Sequence, residues 1–244
     1  FVLSKIMNSI LGKKRLPMLI IDKNFKNSDR QEFNAKIAAI NGFSFFGRNT
    51  TYLLDEKNNI DYSVLNKFLD QFSKEPFFMF GFTNTVFDSL VEKLSISKLN
   101  QSLGNAILLH GGGWKKMENK RVSNIIFKEK INKKLKIKKI YNYYGLIEQT
   151  GSIFLECEKC SCFKTSIFSD IIIRDKNFNV VKNGKRGMIQ LLSLLPTSYP
   201  GHVILTEDIG EIVDSKNCEC SKKGKSFLVH GRAEKSEIRG CSDT

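Results

Sequence analysis

The chain reads as an α/β protein: a mostly parallel sheet with crossover helices, followed by a smaller β-rich subdomain of half-barrel character. Three observations carry this expectation. The first half alternates short apolar runs with stretches of helical period, the rhythm of strand–helix–strand units. After about residue 150 the helical period fades, and strand-like runs follow one another between turn residues. With 244 residues and 41% apolar content, the chain can bury a core and is too apolar to be disordered.

The elements follow in order. Residues 17–22, with their continuous Met-Leu-Ile-Ile, predict a strand. Val64, Leu65, Phe68, Leu69 and Phe72 form the buried stripe of a helix, with Asp61 as its N-cap. Residues 77–82 predict a second strand, and Val86, Phe87, Leu90, Val91 and Leu94 a second helical stripe. Residues 106–109 form a strand ending in a triple glycine. The dense lysine run over 128–139 is the solvated face of a helix leading into a strand over 137–143. Beyond it, residues 167–174, 187–195, 202–213 and 227–230 predict strands, interrupted by Asn183-Gly184 and by residues 196–201. The domain division is 1–150 for the α/β part and 151–244 for the β-rich part.

Composition excludes several classes. The formal charge is +14, yet only eight of the 39 basic residues are arginines, and Asn and Ile are abundant. That mixture is what an AT-rich coding sequence produces. No aromatic-interleaved basic motif accompanies it, so no nucleic-acid partner is expected. No apolar run approaches the roughly 20 residues of a membrane span. Without a secretory signal, the six cysteines predict thiols in a reducing cytoplasm rather than disulfides.

Four segments carry chemistry. Residues 143–151, Tyr-Tyr-Gly-Leu-Ile-Glu-Gln-Thr-Gly, put one ring (Tyr144) and one carboxylate (Glu148) at fixed offsets around a glycine turn at Gly145. Residues 110–116, His-Gly-Gly-Gly-Trp-Lys-Lys, follow a predicted strand. Gly111, Gly112 and Gly113 allow a ligand close to the backbone, and the lysines suit an anion. Asp208, in Leu-Thr-Glu-Asp-Ile-Gly, ends a strand-like run where an acceptor-only carboxylate can take two hydrogen bonds from a diol. Arg232, in the stretch 231–240, offers a permanent, fork-shaped charge for ribose or phosphate. His110 and His202 are candidate bases, His110 the better placed.

The cysteines form two clusters, Cys157-x2-Cys160-x-Cys162 and Cys218-x-Cys220. Brought together by strands of one subdomain, they can supply a four-thiolate structural zinc site. Cys160, Cys162, Cys218 and Cys220 are the first choice, with Cys157 the spare.

The wording LHGGGWKK, YYGLIEQTGSIF, LPTSYPGHVILTEDIG and GRAEKSEIRGCSDT, in that order, resembles the LuxE-type acyl-protein synthetases among the adenylate-forming enzymes. The resemblance runs from about Arg15 to Thr244. It implies ATP and Mg²⁺ as cofactors and a carboxylic acid, typically fatty, as substrate. Gly111 to Gly113 would line the adenine and ribose site, and Tyr144 would stack on adenine. Glu148 would bind Mg²⁺, Asp208 would hold the ribose hydroxyls, and Arg232 would contact ribose or phosphate. Cys241 would accept the acyl group as a thioester before an acyl-reductase or acyl-carrier partner takes it. The sequence departs from the wider pattern at Ile147, where Thr is usual. The Ser/Thr/Gly-rich phosphate loop does not occur, which predicts an N-terminally incomplete chain. The small C-terminal domain with its catalytic lysine, present in most relatives outside the LuxE branch, does not occur either. The rivals are an acyl-CoA ligase of the phenylacetate type and a catalytically degenerate, zinc-stabilised binding module.

Overall fold

A computed structural model describes residues 1–25, 35–149, 151–214, 218–220 and 224–233. The chain forms two compact units. One holds Met7–Asn142; the other runs from Tyr143 onward and includes Phe1–Ile6.

The first unit is built on parallel strands. β1 (Leu16–Lys23) lies between β2 (Gly47–Leu54) and β3 (Phe77–Phe82), parallel to both, and β3 pairs in parallel with β4 (Ala106–Gly111). β1 and β4 read as continuous apolar runs because both their faces are buried. Leu19, Ile21, Met79 and Leu108 enter one large core with α3 (Tyr62–Phe72) and α5 (Asn124–Leu135). Their neighbours Met18, Ile20, Phe78 and Phe80 are fully buried as well.

The helices follow their stripes. Asp61 caps α3, its carboxylate accepting from the Val64 N–H at 3.0 Å, and Leu65, Phe68, Leu69 and Phe72 are buried. On α5, Phe127, Ile131 and Leu135 are buried at every fourth position while the lysines line the other face. That helix ends at Leu135, with Lys136 in the left-handed conformation as its cap, four residues before the lysine run does. The second predicted stripe takes a different form: a single α-turn, α4 (Thr83–Val86), opens into a π-helix over Phe87–Lys93 closed by a bond from the Leu94 N–H to the Ser89 carbonyl. Val86, Phe87, Leu90 and Leu94 are still buried.

Three elements of this part lie outside the sequence expectation. α1 (Val2–Leu11) buries a helical stripe of Val2, Met7, Ile10 and Leu11 that the sequence reading did not use, whereas α2 (Ala35–Ser44) carries no clean stripe and buries only Ile40 and Phe43 among the described residues. β2 begins Gly-Arg-Asn-Thr and is exposed at Arg48, Asn49 and Thr50, so no apolar run announces it.

In the second unit the last residues of β5 (Lys139–Tyr144) pair antiparallel with β6 (Phe154–Glu156), and β6 with β7 (Phe163–Lys164). The order continues through β11 (Ser226–Arg232), β10 (Val203–Val213) and β9 (Gly187–Ser193) to β8 (Ser169–Arg174), every pair antiparallel. Inward positions alternate, as in Ser169, Ile171 and Ile173 of β8. The core is Phe154, Phe163, Ile171, Ile173, Ile189, Leu191 and Phe227. No helix of the described residues is long and apolar enough to cross a membrane.

Candidate functional site

In the parallel unit, the carboxyl edge of the sheet carries the glycine loop. β4 runs through His110 to Gly111, which pairs with Phe82 at the end of β3. Gly112 has φ +79, a conformation an L side chain strains to adopt, and a Cβ there would meet the Phe82 ring at 3.3 Å. Nothing lies within 4 Å of a Cβ built on Gly113. Trp114 is buried edge-on against Phe87, ring centroids 4.9 Å apart, and pins the end of the loop.

His110 is sealed beneath this loop. Its ring lies 4.3 Å from Phe127, and its Nδ1 meets Thr83 Oγ1 at 3.0 Å. The Thr83 hydroxyl has one proton, which it donates to the Gly111 carbonyl at 3.0 Å. His110 therefore donates from Nδ1, and its Nε2 is the acceptor nitrogen, without a hydrogen-bond partner among the described residues. Burial, helped by the Lys128 charge, lowers its pKa to about 3. The ring is neutral at physiological pH. His202, the other candidate base, is exposed, and its carbonyl accepts from the Ser193 N–H at 2.8 Å.

In the other unit, three of the sequence-predicted residues come together. Tyr144, at the end of β5, donates its hydroxyl to Asp208 Oδ2 at 2.7 Å. Asp208 stands opposite Arg232 in the β10–β11 register. The Tyr144 ring packs against Phe154, Phe163 and Phe227, centroids 6.0 to 6.2 Å away. Burial, and then the Asp208 charge, raises the Tyr144 pKa, so its hydroxyl remains a donor. Burial also raises the Asp208 pKa, against the Tyr144 hydrogen bond and the Arg232 charge, which favour the carboxylate. Thr206 anchors the strand locally, donating to the Ile189 carbonyl at 2.8 Å and accepting from the Asp208 N–H at 3.1 Å. The result is a carboxylate fixed on one oxygen with acceptor capacity to spare, beside a guanidinium whose Nη1 also lies 3.7 Å from Glu207.

Glu148 sits in a single 3₁₀ turn, Ile147–Gln149, directly after Gly145. It is exposed and unpaired among the described residues. The residue that sequence reasoning passed over is its neighbour. Gln149 is buried and donates Nε2 to the Gly201 carbonyl at 2.8 Å. Gly201 in turn approaches so closely that a Cβ there would lie 2.8 Å from the Glu148 carbonyl oxygen. This clamp holds the turn to residues 199–202. The signal was present as a glutamine inside a motif and a glycine after a proline, but their contact spans 52 residues.

The cysteine loops meet in the same unit. Cys157, Cys160 and Cys218 place their sulfurs within 4.8 Å of one another, which gathers in Cys157, the spare of the sequence reading. Cys162 is buried and gives its thiol to the Cys160 carbonyl at 3.2 Å. Burial alone would push the Cys157 thiol up. The N–H groups of Cys160 and Lys159, then the thiols of Cys220 and Cys160, outweigh it and bring the pKa down to about 7. Cys241 and the 234–240 part of the arginine segment lie outside the described residues.

Comparison with known proteins fits this geometry. The family model described as acyl-protein synthetase, LuxE, matches residues 2–244, and the chain belongs to that family. No curated protein matches it. Among solved structures, an open conformation of 2-hydroxyisobutyryl-CoA ligase in complex with 2-HIB-AMP and CoA gives a TM-score of 0.68 at 16% identity, covering 95% of this chain and 49% of that one. The amide bond synthetase McbA from Marinactinospora thermotolerans gives 0.60 at 13% identity, covering 94% and 44%. The luciferase-like enzyme of the nonluminescent mealworm Zophobas morio gives 0.58 at 14% identity, covering 97% and 53%. The chain shares their fold and spans about half of their length.

Proposed function

We propose that this member of the LuxE acyl-protein synthetase family takes part in activating a carboxylic acid, in keeping with the family a fatty acid, with ATP. The carboxylate oxygen attacks the α-phosphorus, the bond to the β-phosphate bridge breaks, and pyrophosphate leaves. A thiolate then attacks the acyl carbonyl, forming a thioester as AMP departs. The observation that carries this reading is the 2.7 Å bond between Tyr144 and Asp208 beside Arg232. It fixes a ring, a diol-accepting carboxylate and a cation in one place, as a nucleoside requires.

In this reading Tyr144 offers a face to adenine while its hydroxyl fixes Asp208, which accepts from the ribose hydroxyls, and Arg232 meets ribose or phosphate. Gly145 lets the nucleotide approach the backbone next to Tyr144, and by the family resemblance alone Gly111, Gly112 and Gly113 are assigned to adenine and ribose. The exposed Glu148 suits a hard divalent cation, and the Gln149 clamp holds its turn. Bound Mg²⁺ supplies screening of the phosphate charge. His110 acts at one remove, holding the Gly111 carbonyl through Thr83. Cys241 is the proposed thiol acceptor on the strength of the resemblance, with an acyl-reductase or acyl-carrier protein as the onward partner in the cytoplasm.

The test is carboxylate-dependent exchange of pyrophosphate into ATP by the full-length protein. Asp208→Ala is expected to raise the KM for ATP by about tenfold to a hundredfold, the worth of hydrogen bonds to a charged group. No exchange with any chain length of fatty acid would overturn the reading. Labelled acyl group should appear on protein in a hydroxylamine-labile bond that Cys241→Ser removes; label found on CoA alone would move the acceptor to CoA.

A further inference from the structure

We infer that Cys157, Cys160, Cys218 and Cys220 form a closed, tetrahedral zinc site that ties the turn between β6 and β7 to the segment between β10 and β11. The sulfurs of Cys157 and Cys218 are 3.7 Å apart. Four thiolates around zinc at about 2.3 Å have sulfur–sulfur edges of about 3.8 Å, whereas a disulfide requires about 2.05 Å. The spacing is that of two ligands on one ion. Cys160 lies within the same 4.8 Å group, the Cys218 thiol neighbours Cys160, and the Cys220 thiol neighbours Cys157. Three sulfurs thus lie mutually close, and the fourth, that of Cys220, joins them through Cys157, the four being drawn from two chain segments.

The backbone around the first pair is shaped for thiolates. The N–H groups of Lys159 and Cys160 are directed at the Cys157 sulfur, and that of Cys162 at the Cys160 sulfur. Such donors stabilise the charge a thiolate carries as a metal ligand. The loop is closed by the Cys157 N–H on the Cys162 carbonyl at 2.8 Å and the Ser161 N–H on the Cys157 carbonyl at 2.9 Å, with Ser161 at φ +54. Here lies the reason for replacing Cys162 by Cys157 in the ligand set. Cys162 serves the loop through its carbonyl, and its thiol turns back onto the Cys160 carbonyl at 3.2 Å. Across the two segments, Lys159 and Glu219 approach to 3.8 Å.

Four protein thiolates leave no open coordination position, so the ion's role is structural. It anchors one end of the β10–β11 pair, whose other end carries Asp208 and Arg232. The separations suit one tetrahedral ion rather than a multi-iron cluster, and tetrahedral thiolate sites of this kind most often serve as structural zinc centres.

The full chain, purified without chelator, is expected to contain about one zinc per molecule by plasma mass spectrometry. Replacing zinc with cobalt should give the visible absorption of a tetrahedral thiolate centre. Cys157→Ser and Cys220→Ser are expected to lose the metal to a competing chelator, whereas Cys162→Ser retains it; far-UV circular dichroism separates metal loss from failure to fold. Since the cobalt spectrum is recorded on the unaltered chain, it stands even if a variant does not fold. A chain with no zinc and no cobalt spectrum would overturn the inference. So would bound iron, a Cys157–Cys218 disulfide in peptide maps, or Cys162→Ser losing zinc as fully as Cys157→Ser.

Discussion

The parallel unit holds His110 by burying it, and the β-rich unit holds Tyr144, Asp208 and Arg232 by linking them to one another. His110 is neutral because an extensive apolar core surrounds it, and its single strong bond, to Thr83, serves a neighbouring carbonyl. Tyr144, Asp208 and Arg232 instead stabilise each other's ionisation states across three strands. The difference follows from core size. The main cluster of the parallel unit has twenty-three buried residues among those described, and that of the β-rich unit has seven. A small core supplies little stability, and small units compensate with specific cross-links. Here these are the Tyr144–Asp208 bond, the Gln149 clamp and the cysteine loops.

The contrast can be broken most forcefully in the cores. Phe227→Ala removes the centre of the smaller cluster, in which Phe154, Phe163 and Tyr144 all face that ring. The expected cost is about 3–5 kcal/mol, enough to unfold the β-rich unit. Phe77→Ala costs the parallel unit a similar amount and leaves it folded. Limited proteolysis should therefore cut the first variant after residue 143 and spare the second; the reverse pattern would refute the core-size explanation.

An acid titration probes the buried histidine. His110 has a folded pKa of about 3, below its ordinary 6.5, so the unfolded chain binds the extra proton. Stability is then full above about pH 6.5 and is lost as pH falls toward 3, by on the order of 5 kcal/mol in all. His110→Asn keeps a donor for Thr83 and cannot titrate. Denaturant midpoints measured across that window should fall less steeply for the variant than for the parent; equal slopes would show that the ring is not held neutral.

A smaller effect is expected at the linked site. Tyr144→Phe keeps the ring and removes the hydroxyl from a buried carboxylate, a loss of about 1.5–3 kcal/mol in stability. The Asp208 pKa should rise further, because the hydrogen bond that favours its charged form is gone. Carboxyl chemical shifts followed by NMR read this directly. An unmoved Asp208 would mean that the bond contributes nothing to its ionisation.

The smallest concerns an element that both sequence and structure assign. Asp61→Ala removes the cap on α3 and should cost about 1 kcal/mol in urea unfolding. A cost near that of the Phe77 variant would make α3 far more dependent on its terminus than on its stripe.

Much of the parallel unit was legible because its signals are local. Asp61 and the stripe from Leu65 to Phe72 lie within one helix, and the apolar runs of β1, β3 and β4 are short and continuous. β2 escaped because an edge strand exposed at Arg48, Asn49 and Thr50 needs no apolar pattern, and the π-helix because its wider turn leaves the same residues buried. Of the candidate site, the residue types were legible and their partners were not. Tyr144 and Asp208 are 64 positions apart, and Gln149 and Gly201 are 52. By itself the sequence determined the strand–helix alternation, the capped helix, the glycine loop and the family wording, since each is written in neighbouring residues whose spacing alone sets period, cap or turn. Only the tertiary structure decided that His110 is buried and neutral, that Cys157 rather than Cys162 faces Cys218, and that Tyr144 gives its hydroxyl to Asp208. Those outcomes depend on which distant strands pair and in what register, because burial, charge and hydrogen-bond partners exist only once the strands have met.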